Sequence, residues 1–313
     1  PRLAGPERKG AQAMPNLAAG LALLLASSAI PDVQVASPAP EVSNVEVIMT
    51  RPDRDRRMTV PVRIGLEGPF HFVIDTGSQT TVVSTDLALQ LSLSPSRKAR
   101  IIGVGGTDTV DIAVVEELAL GRRSHRDLEV ALLEARHIGG DGIVGIDSLQ
   151  RQRVLLDFDR QTISVGDLKS MGGNKGFEIV VTARRRQGQL IMTNALIDGV
   201  RTDVVIDTGA DTSIGNRALQ RALRQRQTLE QATLIDVTGR VVIADLGYPR
   251  KLEIGDIGIT NLLVAYADTP VFRVLDLERR PAMMLGMREL RLFKRIAIDF
   301  GSRKIYFDLP PGS

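Results

Sequence analysis

Two aspartates, Asp75 and Asp207, stand in one repeated context. Each follows three apolar residues and precedes Thr-Gly, in FVIDTGSQTTVVS at 72–84 and VVIDTGADTSIGN at 204–216. One Asp-Thr-Gly is weak evidence, since a chain of this length carries one by chance roughly once in twenty. Two of them at matching places in a repeat are not chance. The apolar triplet predicts a buried strand that delivers the aspartate at a tight turn. Glycine two residues on lets the backbone approach the carboxylate closely. Two carboxylates held face to face cannot both ionise cheaply, so the pair keeps one proton over a wide pH range. The ionised member can take a proton from water while the protonated member polarises or protonates a carbonyl. That chemistry hydrolyses an acyl bond with no metal and no cofactor.

The elements that must position these residues are also repeated, which makes the duplication the main organising feature of the chain. Glycine turns follow in IIGVGGTD (101–108) and LIDVTGRV (234–241), then EELALG and RKLEIG, ending at Gly121 and Gly255. DGIVGIDSL (141–149) matches AMMLGMREL (282–290), and each half closes on a strand pair, VLLDFDRQTISV from Val154 and IAIDFGSRKIYF from Ile296. Short runs rich in Val, Ile, Thr and Leu between turn signals predict an all-β fold of two homologous barrel lobes with few short helices. The divisions read as a leader-like segment and spacer at 1–41, a first lobe at 42–166, a glycine-rich linker at 167–176 and a second lobe at 177–313. Helices are expected at 85–91, with Asp86 in its first turn, and at 216–226, capped by Asn216. Short turns are expected from Asp147 and Met287.

Composition narrows the alternatives. The 313 residues are 43% hydrophobic and carry a formal charge of only +3, so two cores can form and nucleic-acid binding has little support. The arginines at 184–186 and between 51 and 57 read as solvated runs without chemistry. There is no cysteine, and His71, His125 and His137 lack metal-site spacing, so thiol and metal chemistry are not expected. LAAGLALLLASSAI at 17–30 has the length and flanks of an export signal and is short for a membrane span. The expectation is a periplasmic or secreted mature chain with no stable membrane span.

The two Asp-Thr-Gly loops, together with IVG at 143–145 and MLG at 284–286, resemble the aspartic protease superfamily, and within it the retropepsin-like branch, present twice in one chain. The resemblance implies a catalytic pair of Asp75 and Asp207, one from each lobe of a monomer, acting on a polypeptide substrate. It implies loop support from Thr76, Gly77, Ser78, Thr208, Gly209 and Ala210, with the two threonines hydrogen-bonding across the lobe junction. It also implies substrate contacts from Gly105 and Gly106 in a first flap at 101–108, facing a flap-like hairpin at 235–242. Asp211 stands where the family contacts substrate backbone, and Gln79 takes its place in the first half, so the cleft is expected to be asymmetric. The first flap has no tyrosine, unlike that of pepsins; the three tyrosines are Tyr248, Tyr266 and Tyr306. A serine hydroxyl at position 78, with alanine at 210, is expected to favour the charged form of Asp75 and leave the proton on Asp207. Two other readings stay open: a peptide-binding module of this fold without activity, and an actin-like ATPase gripping phosphate with Asp-x-Gly loops.

Overall fold

Each half begins with an apolar strand that turns back into the strand carrying its aspartate. In the first half Met58–Ile64 pairs antiparallel with Glu67–Ile74, whose residues are mostly solvent-facing until Phe72, Val73 and Ile74 enter the core. In the second, Gln189–Ile197 pairs in the same way with Val200–Ile206. The structure is a computed structural model and describes residues 46–49, 51–52, 57–121, 123–150, 152–166, 171, 177–224 and 230–310. The 1–41 segment and, apart from Met171, the expected linker lie outside the described residues.

One arrangement occurs in both halves and fixes the site. Gly142–Val144 threads between two strands, parallel to Glu67–Ile74 on one side and antiparallel to Val82–Ser84 on the other. Ala282–Leu285 does the same between Val200–Ile206 and Ser213–Gly215. A central strand of this kind is covered on both faces, which is why GIV and AMML are wholly apolar apart from glycine. The glycines that end these strands are sterically required. A Cβ on Gly145 would lie 2.6 Å from the Thr80 carbonyl carbon, and one on Gly286 would lie 2.8 Å from that of Thr212.

Around this centre the first half forms an eight-stranded sheet, in which Met58–Ile64 also pairs with the far end of Thr107–Leu120 and so curls the sheet on itself. The second half forms a ten-stranded sheet. The turns that ALG and EIG signal are left-handed at Gly121 (φ 66°) and Gly255 (φ 59°), where a side chain would be strained.

A third, six-stranded sheet joins the halves. The closing strands Arg153–Asp157 and Arg295–Asp299 pair antiparallel, with Val154 opposite Ile298 and Leu156 opposite Ile296. Because Val154 and Ile296 are equivalent in the repeat, this register is self-complementary, as a two-fold relation between homologous units requires. Buried Arg153 bonds the Asp299 carboxylate at 3.2 Å and lies 4.2 Å from the Tyr306 ring centre.

Five short helices complete the described residues. Ser84 caps Thr85–Gln90 and Asn216 caps Arg217–Ala222, each accepting from a backbone N–H of the first turn. The second helix is shorter than expected, because Arg224 takes a left-handed conformation (φ 53°) that ends it. Met287–Leu290 is helical, whereas Asp147 lies in a non-helical turn. Among the described residues no helix is long and apolar enough to cross a membrane.

Candidate active site

The two Asp-Thr-Gly loops meet back to back at the lobe junction. The Asp75 N–H donates to the Val144 carbonyl at 3.1 Å and the Asp207 N–H to the Leu285 carbonyl at 3.0 Å, so each threading strand anchors its own loop. The threonines then cross over. The Thr76 hydroxyl donates to the Ile206 carbonyl at 2.8 Å and accepts from the Thr208 N–H at 3.2 Å. The Thr208 hydroxyl donates to the Ile74 carbonyl at 2.7 Å and accepts from the Thr76 N–H at 3.0 Å. All four bonds are buried, so loosening either loop would strand polar groups of both.

The glycines set how near the carboxylates come. A Cβ on Gly77 would sit 2.6 Å from Asp207 Oδ1, and a Cβ on Gly209 would sit 2.2 Å from Asp75 Cγ. Each glycine therefore packs its bare α-carbon against the other half's carboxylate. The two carboxyl groups are close enough for each to act on the other's proton affinity. Both aspartates are more than nine-tenths buried.

Burial raises both aspartates above the ordinary carboxylate range, but not equally. Asp207 is pushed up to about 8, by burial first and by the charge of Asp75 second. Asp75 is also raised by burial, and that rise is opposed by the Gly77 and Ser78 N–H groups on its Oδ1, at 2.8 and 2.9 Å, and by the positive charge of Arg57. The Gly209 and Ala210 N–H groups oppose the rise at Asp207 in the same way, so the charge of Arg57 is what favours the negative charge on Asp75 and the proton on Asp207. The cause is not the Ser78 hydroxyl. That hydroxyl donates to the Thr80 carbonyl at 2.8 Å, and only the Ser78 backbone serves Asp75.

Each half also sends a hairpin across to the other. The tip between Pro95–Ile102 and Thr107–Leu120 meets the tip between Gln231–Ile235 and Val241–Gly247. The Gly105 N–H donates to Asp236 Oδ2 at 2.8 Å, and Arg240 clasps Asp108 through Nε and Nη2, both at 2.5 Å. Gly106, with φ 156°, packs against the Arg240 side chain. Val104 rests on a cluster of the second half that includes Val205 and Met284, and Val237 rests on one of the first half that includes Val73 and Ile143. Each cluster includes a residue of the strand that carries that half's aspartate, Val205 in one and Val73 in the other. Gln79 is half-buried near its loop and Asp211 is exposed. Ala210 lends its carbonyl to the Met287 N–H at 2.8 Å, as Ser78 does to the Ile146 N–H at 2.9 Å.

Three groups at the site carry no signal in the repeat. Arg57, in a run read as solvated, is 5% exposed and reaches the second Asp-Thr-Gly loop, donating to the Gly209 carbonyl at 3.2 Å. Buried Asp147 and Glu289 brace the strands leaving the loops. Asp147 takes the Thr81 hydroxyl at 2.7 Å and Glu289 the Ser213 hydroxyl at 2.5 Å, while Thr81 and Ser213 accept from the Gly145 and Gly286 N–H groups. Burial raises both acids above their usual range.

No curated protein matches the chain. The sequence model of the aspartyl protease family matches it twice, over residues 60–148 and 193–288, each match holding one Asp-Thr-Gly loop and its threading strand. With two matches that together span more than half of the chain and a two-lobed, mostly β structure, the chain belongs to the aspartyl protease family as a duplicated, retropepsin-like member.

Proposed function

We propose that the protein is an active aspartic endopeptidase in which Asp75 and Asp207 share one proton and activate one water molecule. The reciprocal placement of the carboxylates carries this reading: each is held by its own loop N–H groups, capped by the other half's glycine and coupled to its partner. In the reaction the Asp75 carboxylate takes a proton from water as the oxygen attacks the scissile carbonyl carbon. Asp207 gives its proton to the carbonyl oxygen, forming a neutral gem-diol. Collapse of that intermediate returns the carbonyl and breaks the C–N bond. The amine leaves with the proton held by Asp75, and Asp207 recovers one from the diol, so the dyad ends as it began.

An extended peptide would lie between the hairpin tips and the dyad, paired by strand-like backbone hydrogen bonds. The Gly105 N–H and the two valine-capped clusters are the groups it would meet once the tips part. The apolar run at 17–30 supports an extracytoplasmic site of action for the same enzyme. The actin-like reading needs long helices on its sheets, and the longest described ones have six residues. The test is digestion of a peptide library read by mass spectrometry. New termini formed by the wild type and absent with Asp207→Asn support catalysis. Peptides retained by the protein and never cut would show the inactive binding module instead.

A further inference from the structure

Arg57 and Gln189 occupy equivalent places in the two halves. Arg57 directly precedes Met58–Ile64 and Gln189 opens Gln189–Ile197, the strands that lead into the two aspartate-bearing strands. Both side chains are buried, at 5% and 3% exposure, and both cross the junction. Arg57 Nη1 donates to the Gly209 carbonyl at 3.2 Å, and Gln189 Nε2 donates to the Gly77 carbonyl at 2.5 Å. Arg57 Nη2 is fixed in turn by the Ile138 carbonyl at 2.7 Å. Each catalytic loop is thus held at its glycine by the other half.

The two braces differ in charge, and each stands on a different side of the dyad. Gly209, which Arg57 holds, is the glycine packed against the Asp75 carboxylate, whereas Gly77, which Gln189 holds, is packed against Asp207. We infer that Arg57 and Gln189 are a matched pair of positioning residues, and that the cation on one side and the neutral amide on the other decide which aspartate is ionised. The inference rests on the dyad reading above and adds to it a source for the asymmetry between the two aspartates. The charged groups acting on Asp75 are Arg57 and Asp207, and the one acting on Asp207 is Asp75. A buried cation acts strongly here, because little solvent screens it.

The test is a carboxyl 13C titration of aspartate-labelled full-length chain, assigned with Asp75→Asn and Asp207→Asn, run beside the pH profile of kcat/KM. Arg57→Gln should move the lower carboxyl step up by about 0.5 to 1 pH unit, and the acid limb of activity with it. Arg57→Lys, which keeps the charge and loses the fork, should recover most of that shift. Gln189→Leu should lower activity without moving the limb. If Arg57→Gln does not fold, Gln189→Arg keeps the question open, since a cation on Asp207's side should lower the upper step. A brace of purely structural value predicts lower stability in Arg57→Gln with both titration steps unmoved, and that result, or an equal shift from Gln189→Leu, overturns the proposal. Carboxyl steps that shift in a chain with no peptidase activity would uphold this inference and reject the protease reading.

Discussion

At the scale of residues, the site is two identical tripeptides made unequal by their surroundings. Each carboxylate receives two N–H groups from its own loop, and the difference between them is the positive charge of Arg57, which acts on Asp75. A linkage consequence follows. With a folded value of about 8, Asp207 keeps a proton that the unfolded chain loses near pH 4, so stability should fall as pH rises from about 4 to about 8. Thermal melts across that window should show a steeper loss for the wild type than for Asp207→Asn, which carries no such proton. Parallel curves would mean that Asp207 is not raised. The glycines give a second test. Alanine at 77 or 209 would place a methyl within 2.6 Å of the opposite carboxyl group, so the carboxylates must separate. Activity should drop about 100-fold or more, as expected for an ångström-scale misplacement, while the far-ultraviolet circular dichroism stays native. Full activity in Gly209→Ala would show that the close approach is not used.

At the scale of elements, what the sequence reveals and what it hides separate by range. The Asp-Thr-Gly loops, the threading strands and the closing hairpins are legible because each is local and occurs twice, so one half checks the other. The end of the helix at Ala222 is hidden because it depends on the backbone of Arg224, a residue type with no turn signature. The Ser78 hydroxyl turns to a carbonyl two residues on, a local bond that competes with any role at the carboxylate. Pro270–Val274 had a usable signal in Thr269-Pro270, since proline favours the first helical position. Arg57, Asp108 and Arg240 have no local signal at all, because their partners lie 152 and 132 residues away in sequence. The hairpin tips give a prediction of their own. Arg240 holds Asp108 below the usual carboxylate range, so this clasp persists into mildly acidic solution and fails only as pH falls through that lowered value. Arg240→Ala should speed amide hydrogen exchange at Gly105 by roughly twofold to fivefold, the scale of an exposed ion pair. High salt should do the same to the wild type and not to the variant. Exchange that is unchanged in both would show that Asp236 alone holds the tips together.

At the scale of the whole molecule, duplication turns a two-chain problem into a one-chain one. The cross-bonded threonines, the self-complementary sheet between Arg153–Asp157 and Arg295–Asp299 and the crossed hairpins all tie one half to the other within a single polypeptide. Two covalently linked halves can also diverge, which an assembly of identical subunits cannot do. Arg57 against Gln189 and Gln79 against Asp211 are such divergences, and the first bears directly on the dyad. The proposal of an extracytoplasmic site of action, which rests on the run at 17–30, is tested by cell fractionation: it expects a shortened, extracytoplasmic protein, and a full-length cytosolic one would reject it. The central claim is that one chain supplies both carboxylates of one active site. It is tested most directly by peptide-library cleavage with Asp75→Asn, Asp207→Asn and an equimolar mixture of the two, beside wild type over a dilution series. The account predicts wild-type specific activity independent of concentration, and no cleavage by either variant or by their mixture. Cleavage restored on mixing the two variants, or retained by either alone, would contradict it.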